Sequence, residues 1–283
     1  MRRRVRYTDL LGTVIDAETA SHVGRIWRPH HVLRGEIERL TAVFDVHDES
    51  SELRRFAAGA LADAGEELSA VLALAEDWHR RSNGAFDARV GRLRRVWADA
   101  EAQGREPSPD ELSSAFPRAD EKPSDLNAIA KGWIVDRAVE RAAAVHGTSG
   151  VWLNAGGDVR HIGRRSLRVA IEPPSLNGGP VDVVALRNQA LATSGGAHRG
   201  WTIAGRRFSH VIDPRSGWPT THTGSVSVVA PDAATADVLA TIATVDENCG
   251  RDLIASTRGA AALFARLDGS LHATAGWPST RPS

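Results

Sequence analysis

Residues 225–245 read SVSVVAPDAATADVLATIATV, and the change of pattern within this stretch decides the fold class. Residues 225–229 have the β-branched composition of a strand, whereas residues 233–245 have the composition of a helix. Between them, Pro231 and Asp232 mark the turn through which the helix is entered. This stretch therefore predicts a chain that contains both strands and helices.

The flanking sequence extends the mixture in both directions. Helical spacing predicts helices over residues 30–41, 51–60, 65–80 and 127–145, and one more over 253–264 followed by a short strand. Strand candidates bounded by turn residues lie at 150–153, 167–171, 181–184, 191–193 and 201–203, while residues 104–124 predict an exposed connection. The pattern indicates an α+β fold with antiparallel-rich sheets. We expect one domain over residues 1–275 and a flexible tail over 276–283.

Composition excludes several functional classes. The chain has 283 residues and is 42% hydrophobic, which is enough to bury a sizeable core. Its 35 basic and 35 acidic residues balance, so no overall field attracts nucleic acid or an anionic membrane. A single cysteine, Cys249, excludes an intramolecular disulfide and a multi-cysteine metal site.

The N-terminal segment predicts a cytoplasmic location. It carries Arg2, Arg3, Arg4 and Arg6, which we expect to form a solvated arm. The residues that follow lack the apolar stretch of a secretory signal, and no window is long and apolar enough to span a bilayer.

One candidate metal site lies on the predicted helix over 233–245. Asp237 and Thr241 are four residues apart, so their side chains share a helical face. A carboxylate and a hydroxyl are the hard oxygen donors that Mg²⁺ prefers. Alternatively, Asp237 complements the helix dipole and Thr241 bonds back to its own backbone.

A candidate anion site lies in DLNAIAKG, residues 125–132. Its small residues let the backbone approach a ligand, and amides at the start of a helix favour an anion. Lys131 adds a compact positive charge suited to phosphate. It is one of only two lysines in the chain. An ordinary capped helix with a solvated lysine would show the same pattern.

Two further motifs follow strand candidates. LNAGGD at residues 153–158 lacks the spacing of a dinucleotide fingerprint, so a strand-ending turn explains it equally well. In FSHVIDPRSGWP, residues 208–219, His210 is placed to accept a proton near neutral pH, and Asp213 is close enough in sequence to orient it. His210 could equally be a hydrogen-bonded structural histidine.

Taken in order, these blocks resemble the ApbE family, the FAD:protein FMN transferases, along nearly the whole chain. The matching blocks are residues 11–13, 44–56, 82–93, 125–136, 154–163, 192–195, 209–219 and 228–245. The most specific are AIAKG at residues 128–132 and the blocks at 209–219 and 228–245. The resemblance implies an ApbE-like α+β fold with packed helices and an FAD cleft between two lobes.

The resemblance also implies roles for individual residues. Asp237 and Thr241 match the magnesium ligands, Ala128 matches a position that offers its backbone carbonyl to the ion, and His210 matches the catalytic base. The positions that match the lining of the FAD site are Ala85, Phe86, Asp87, Asp125, Lys131, Leu11, Trp78 and Val211. Departures from the usual family residues are Asp45, His47, Phe56, Arg89, Arg92 and Asn127. These lie around the flavin end and bear on affinity and acceptor choice.

The activity implied is Mg²⁺-dependent transfer of FMN from FAD to a Thr or Ser side chain of an acceptor redox protein with a flavinylation motif, releasing AMP. The same residues would serve a Mg²⁺-dependent FAD pyrophosphatase in which water replaces the acceptor. Two non-enzymatic functions also fit: a flavin-binding protein, which would leave FAD intact, and a structural domain that binds no flavin. We expect no nucleic-acid partner and no membrane span.

Overall fold

A computed structural model describes residues 1–22, 27–174, 178–195, 200–221 and 224–281 of the protein. The helices within them are α1 (Trp27–Phe44), α2 (Glu52–Ala57), α3 (Glu66–Arg81), α4 (Gly91–Gln103), α5 (Pro109–Ala115), α6 (Asn127–Ala143), α7 (Ala233–Val245) and α8 (Glu247–Ser256). The strands are β1 (Arg2–Leu10), β2 (Thr13–Ser21), β3 (Thr148–Ala155), β4 (Asp158–Gly163), β5 (Leu167–Ile171), β6 (Asp182–Leu186), β7 (Ala190–Gly195), β8 (Gly200–Ile203), β9 (Arg206–Ser209), β10 (Gly224–Ala230), β11 (Ala261–Arg266) and β12 (Leu271–Ala273).

An antiparallel sheet forms the centre of the molecule. Among the described residues it has eight strands in the order β1-β2-β3-β4-β7-β10-β11-β12. Each neighbouring pair is antiparallel. The β5–β6 and β8–β9 hairpins form separate two-stranded sheets. The predicted α+β class with antiparallel-rich sheets is therefore confirmed.

The two faces of this sheet bury different cores because side chains alternate along a strand. On β10, Val226 and Val228 point into the main core, which also contains buried residues of α1, α6 and α7. Val229 points to the opposite face and packs with the β5–β6 hairpin. A third, smaller core joins Leu93 and Trp97 of α4 to the β8–β9 hairpin. The molecule thus has a large helix-covered sheet and a smaller unit beside it.

Helices α6 and α7 cross in close contact because a glycine lies between them. A Cβ atom added to Gly132 would lie 2.5 Å from the backbone oxygen of Ala233. One turn further along α6, the Asp136 carboxylate accepts hydrogen bonds from the amides of Ala233 and Ala234 at 2.8, 2.9 and 3.0 Å. Arg160 Nε lies 3.1 Å from the same carboxylate. The first turn of α7 is therefore fixed against α6.

Helix α7, in the stretch that decides the fold class, begins and ends at the predicted residues. Helix α7 covers residues 233–245 as predicted, and Asp232 caps it by accepting a hydrogen bond from the Thr235 amide at 2.8 Å. The predicted strand over 167–171 coincides with β5.

Two predicted elements were wrong. Residues 253–264 are not one helix, because α8 ends at Ser256 and β11 begins at Ala261. A turn closed by the Ala260 amide and the Thr257 carbonyl separates them. A short apolar run fits a buried strand as well as a helix. Residues 104–124 contain α5, which begins with a capping box formed by Ser108 and Glu111.

The chain ends also differ from expectation. The N-terminal arginines lie on β1, where Arg6 pairs with Asp16 at 2.9 Å, so they are part of the sheet rather than a free arm. At the other end, the Trp277 indole donates to Asp182 at 2.7 Å, and the Thr280 amide donates to the Val183 carbonyl at 2.7 Å. The segment expected to be a flexible tail is thus docked on β6, although residues 282–283 lie outside the described residues. None of the described helices is long and apolar enough to cross a membrane.

We predict that Gly132→Ala destabilises the protein, because its Cβ would force α6 and α7 apart. Overpacking of this kind costs about 1–3 kcal/mol. The matched control is Gly35→Ala within α1, where no described atom lies within 4 Å of the added Cβ. The control should gain up to about 1 kcal/mol from helix propensity. Urea unfolding of both variants tests this, and equal stability of the two would contradict a tight α6–α7 contact.

Candidate functional site

A cleft of about 580 Å³ lies where the main core meets the smaller unit. Helices α6 and α7 line one side of it, while Trp201 and Ile212 from the smaller core line the other. The cleft between two lobes implied by the sequence is therefore present. The predicted site residues that line it are Leu11, Ala85, Phe86, Asp87, Asp125, Ala128, Lys131, His210, Val211, Asp237 and Thr241.

Buried charges lie close together where α6, α7 and β4 meet. Lys131 Nζ on α6 lies 2.8 Å from Asp158 Oδ2 at the start of β4. Burial and the neighbouring Asp158 carboxylate raise the pKa of Asp237 well above its usual value, and Lys131 offsets this only in part. Asp237 Oδ2 accepts no hydrogen bond from any described residue. One lysine thus faces two carboxylates. The second negative charge is left to be balanced by a proton or a cation.

The remaining oxygen donors near this pair come from the same two helices. Thr241 lies one turn after Asp237 on α7, and Ala128 lies in the first turn of α6. Both line the cleft. The described residues contain no cluster of three or more His, Cys, Asp or Glu side chains that could hold a metal. The Thr241 hydroxyl and the Ala128 carbonyl are hard oxygen donors of the kind that Mg²⁺ prefers.

A tight turn after α3 presents a second group of predicted residues, Ala85 to Asp87. Asn83 and Gly84 both adopt positive φ, 50° and 76°, which reverses the chain after the helix. The Asp87 carboxylate lies 3.1 Å from Arg89 Nη1 and 3.3 Å from His79 Nδ1. Arg89, which the resemblance implies is a departure, therefore holds a carboxylate on the cleft wall.

His210 follows β9 on the opposite side of the cleft. Its backbone carbonyl accepts a hydrogen bond from Arg94 Nη1 at 3.3 Å, and Arg94 Nε lies 3.0 Å from Asp125 Oδ2. The Asp213 carboxylate, expected to orient His210, accepts two hydrogen bonds from the Arg215 guanidinium at 3.0 Å each. Arg215 therefore balances the charge of Asp213, and the orienting role of Asp213 stays a prediction.

Trp78 is the predicted site residue that the structure does not bring to the cleft. Its side chain is buried in the main core, and the Arg81 guanidinium lies 4.0 Å from its ring centroid. The predicted residues Ala85 to Asp87, in the turn beyond α3, do line the cleft. Leu11 does reach the cleft, from the β1–β2 turn, with φ of 54°.

Sequence reasoning missed two charged residues of this site, Asp158 and Arg94. Asp158 was described only as part of a strand-ending turn, although an acidic residue directly after paired glycines was the available signal. Arg94 carried no local signal, because its partners Asp125 and His210 lie far away in the sequence.

The fold and the cleft together define a class of protein. A carboxylate pair and a lysine, contributed by a strand and two helices beside a large cavity, are typical of sites for phosphorylated ligands, with or without a divalent cation. The ApbE family model matches residues 11–264. This chain belongs to the ApbE family.

The sequences of several known proteins match most of this chain. A FAD:protein FMN transferase of Haemophilus influenzae is 28% identical over 250 residues, covering 76% of this chain and 71% of the relative. One from Treponema pallidum is 30% identical over 249 residues, covering 74% and 68%. One from Rhodobacter capsulatus is 31% identical over 305 residues, covering 94% of this chain and 56% of the relative.

Solved structures show the same fold. The ApbE protein of Thermotoga maritima superposes with a TM-score of 0.83 at 26% identity, covering 97% of each chain. The apo flavinyl transferase ApbE of Pseudomonas stutzeri gives a TM-score of 0.77 at 24% identity, covering 99% of this chain and 95% of that one.

We predict that metal-free protein loses stability as the pH rises. The pKa of Asp237 is raised in the folded state, so between the unfolded value near 4 and the folded value the native state binds the extra proton. Its contribution is therefore greatest at low pH and falls with rising pH, by at most about 1.4 kcal/mol per unit. Urea unfolding in EDTA from pH 5 to 8 measures the slope. Asp237→Asn should reduce it to the part contributed by Asp136, because burial also raises the pKa of Asp136, to about 7. Equal slopes for the two proteins would contradict the assignment.

Proposed function

We propose that this protein transfers FMN from FAD to a hydroxyl side chain of an acceptor protein and releases AMP. The observation that carries the proposal is the convergence of Asp237, Lys131 and His210 on one cleft of sufficient size. Relatives named FAD:protein FMN transferase match most of the chain, which supports the same reaction. The acceptor group we propose is a Thr or Ser hydroxyl in a flavinylation motif of a redox protein.

We propose Mg²⁺ as the metal, held by the Asp237 carboxylate, the Thr241 hydroxyl and the Ala128 backbone carbonyl. The buried Asp237 Oδ2 without a described donor supports a cation there. These donors are all hard oxygens, which suit Mg²⁺. When bound, the ion would supply positive charge beside the diphosphate and the leaving phosphate.

The charge of the cleft favours the same conclusion. Its lining carboxylates are Asp45, Asp87, Asp125 and Asp237, and its lining lysine and arginine are Lys131 and Arg94. Arg94 pairs with Asp125 at 3.0 Å and Arg89 with Asp87 at 3.1 Å, so these two carboxylates are balanced. Lys131 is shared between Asp158 and Asp237, and a cation beside Asp237 would offset the charge that remains and favour binding of an anionic diphosphate.

The residues of this chain divide the remaining work. Lys131, held by Asp158 at 2.8 Å, contributes a cation at the phosphate end of the cleft. His210 accepts the proton of the acceptor hydroxyl as its oxygen attacks the FMN phosphorus. The bond from that phosphorus to the bridging oxygen breaks, and AMP leaves with the bonding electron pair. The products are a phosphoester-linked flavin and AMP.

We expect incubation with FAD, Mg²⁺ and motif-bearing redox proteins to add FMN covalently to the acceptor, with one AMP per flavin. Intact-protein mass spectrometry and chromatography of the nucleotides measure both products. His210→Ala should slow transfer roughly 10²–10⁴-fold, the range for loss of a general base. The matched control is His146→Ala, an exposed histidine outside the cleft lining.

The nucleotide products also separate transfer from the competing activities. Free FMN and AMP without an adduct on any acceptor would overturn transfer in favour of an FAD pyrophosphatase. FAD that stays intact with Mg²⁺ would overturn both activities and indicate a flavin-binding protein.

We further predict that Mg²⁺ stabilises the FAD complex through Thr241. Thr241→Val removes one oxygen donor at constant shape, and a tenfold weaker metal affinity would lower this stabilisation by about 1.4 kcal/mol. Thr235→Val, in the first turn of α7 and outside the cleft lining, is the matched control. Thermal unfolding across a Mg²⁺ titration at fixed FAD measures the effect. Identical titrations for the two variants would contradict ligation by Thr241.

A further inference from the structure

The catalytic histidine of the proposed reaction and its phosphate subsite belong to different packing units. Lys131 and Asp237 lie on α6 and α7, which pack in the main core. His210 follows β9, and the β8–β9 hairpin packs with α4 in the smaller core. The distance between the two groups therefore depends on the contacts that join the units rather than on the large sheet.

The loop after His210 is held mainly to itself. The Thr220 amide donates to the Val211 carbonyl at 2.8 Å, and the Asp213 amide donates to the Trp218 carbonyl at 2.9 Å. The Trp97 indole donates to the Gly217 carbonyl at 2.9 Å, which fixes the far end of the loop to α4. None of these three bonds reaches α6 or α7.

Arg94 connects this loop to Asp125 and so to the start of α6, while Arg215 joins it to Asp246 at the end of α7. From α4, Arg94 reaches Asp125 Oδ2 with Nε at 3.0 Å and the His210 carbonyl with Nη1 at 3.3 Å. Asp125 in turn accepts a hydrogen bond from the Asn127 amide at 3.0 Å, at the start of α6. A continuous chain of polar contacts thus runs from the first turn of α6 to the backbone of His210.

The chemistry of arginine explains why this residue can bridge the two units. A guanidinium presents donors in a fixed planar fork, so Nε and Nη1 can serve different acceptors at the same time. The Asp125 side chain is 9% exposed, and a carboxylate so buried holds its partner more firmly than one in water. A lysine offers a single nitrogen and cannot fix both acceptors in one geometry.

We propose that Arg94 is a positioning residue for the flavin transfer, setting the His210 backbone relative to the phosphate subsite. The inference rests on the proposed function, because it concerns the step in which His210 takes the acceptor proton. Arg94 acts through His210 and Asp125. Misplacing a catalytic group by about 1 Å can cost 10²-fold in rate, so loss of this bridge should lower kcat with little change in binding of FAD.

The test compares Arg94→Met, Arg94→Lys and the matched control Arg95→Met in the FAD-to-acceptor assay. Arg95 is the next residue of α4 and is exposed. We expect Arg94→Met to lower kcat at least tenfold with the KM for FAD within threefold of wild type. Arg94→Lys should recover part of the loss, and Arg95→Met should match wild type. Added guanidinium at millimolar concentration should partly rescue an Arg94→Ala variant.

The outcomes distinguish this inference from the proposed function. No transfer by the wild-type protein would overturn the function itself. Wild-type transfer with an unchanged kcat in Arg94→Met would overturn only the role of Arg94. A raised KM for FAD at constant kcat would also overturn it, since Arg94 would then bind FAD directly. Thermal unfolding of each variant shows whether it is folded. If Arg94→Met has a folding defect, the test passes to Arg94→Lys and to the guanidinium rescue: partial recovery supports the positioning role, and no recovery in either overturns it.

Discussion

The contact between α6 and α7 is the constraint on which the rest of the structure depends. Gly132 allows the start of α7 to lie against α6, and Asp136 then caps the amides of Ala233 and Ala234. Burial raises the pKa of Asp136 to about 7, although the two amides and Arg160 favour its ionised form. Helix α6 supplies Lys131 to the cleft, and it also supplies Gly132 and Asp136, which position the start of α7. Cleft-lining residues and packing residues therefore follow one another along one helix.

This rigidity has an electrostatic consequence. Because α7 is fixed at its first turn and Asp158 begins a strand of the main sheet, the backbone holds the Asp237 and Asp158 carboxylates close enough to interact. Lys131 compensates one of the two charges at 2.8 Å. The other must be neutralised by a proton or by a bound cation, as the raised pKa of Asp237 indicates. The two neighbouring acids are therefore the feature that supports the proposed cation.

Predictions from local sequence patterns succeeded where residues of a single helix or strand determine the geometry. The spacing of Asp237 and Thr241 fixes both on one face of α7, so this pair needed no tertiary information. Strand β1 was missed because its arginines obscure the alternation that places Val5 and Tyr7 inward. Asp158 and Arg94 were missed for a different reason. Their partners are distant, as the separation of 116 residues between Arg94 and His210 illustrates. Trp78 shows the converse, since a matching position in sequence did not bring its side chain to the cleft.

The division of the cleft between two cores bears on how a protein substrate is accommodated. The phosphate end is built from α6, α7 and β4, whose contacts extend through the largest core. His210, the proposed base, lies on a loop joined to the main unit by side chains that include Arg94 and Arg215, whose Nη1 donates to Asp246 at 3.1 Å. In the proposed reaction, the rigid end would orient the dinucleotide before the acceptor arrives. The acceptor hydroxyl would then fit between that end and His210, on a loop that Arg94 and Arg215 join to the main unit. The precision of that step would therefore depend on these polar contacts as well as on the hydrophobic core.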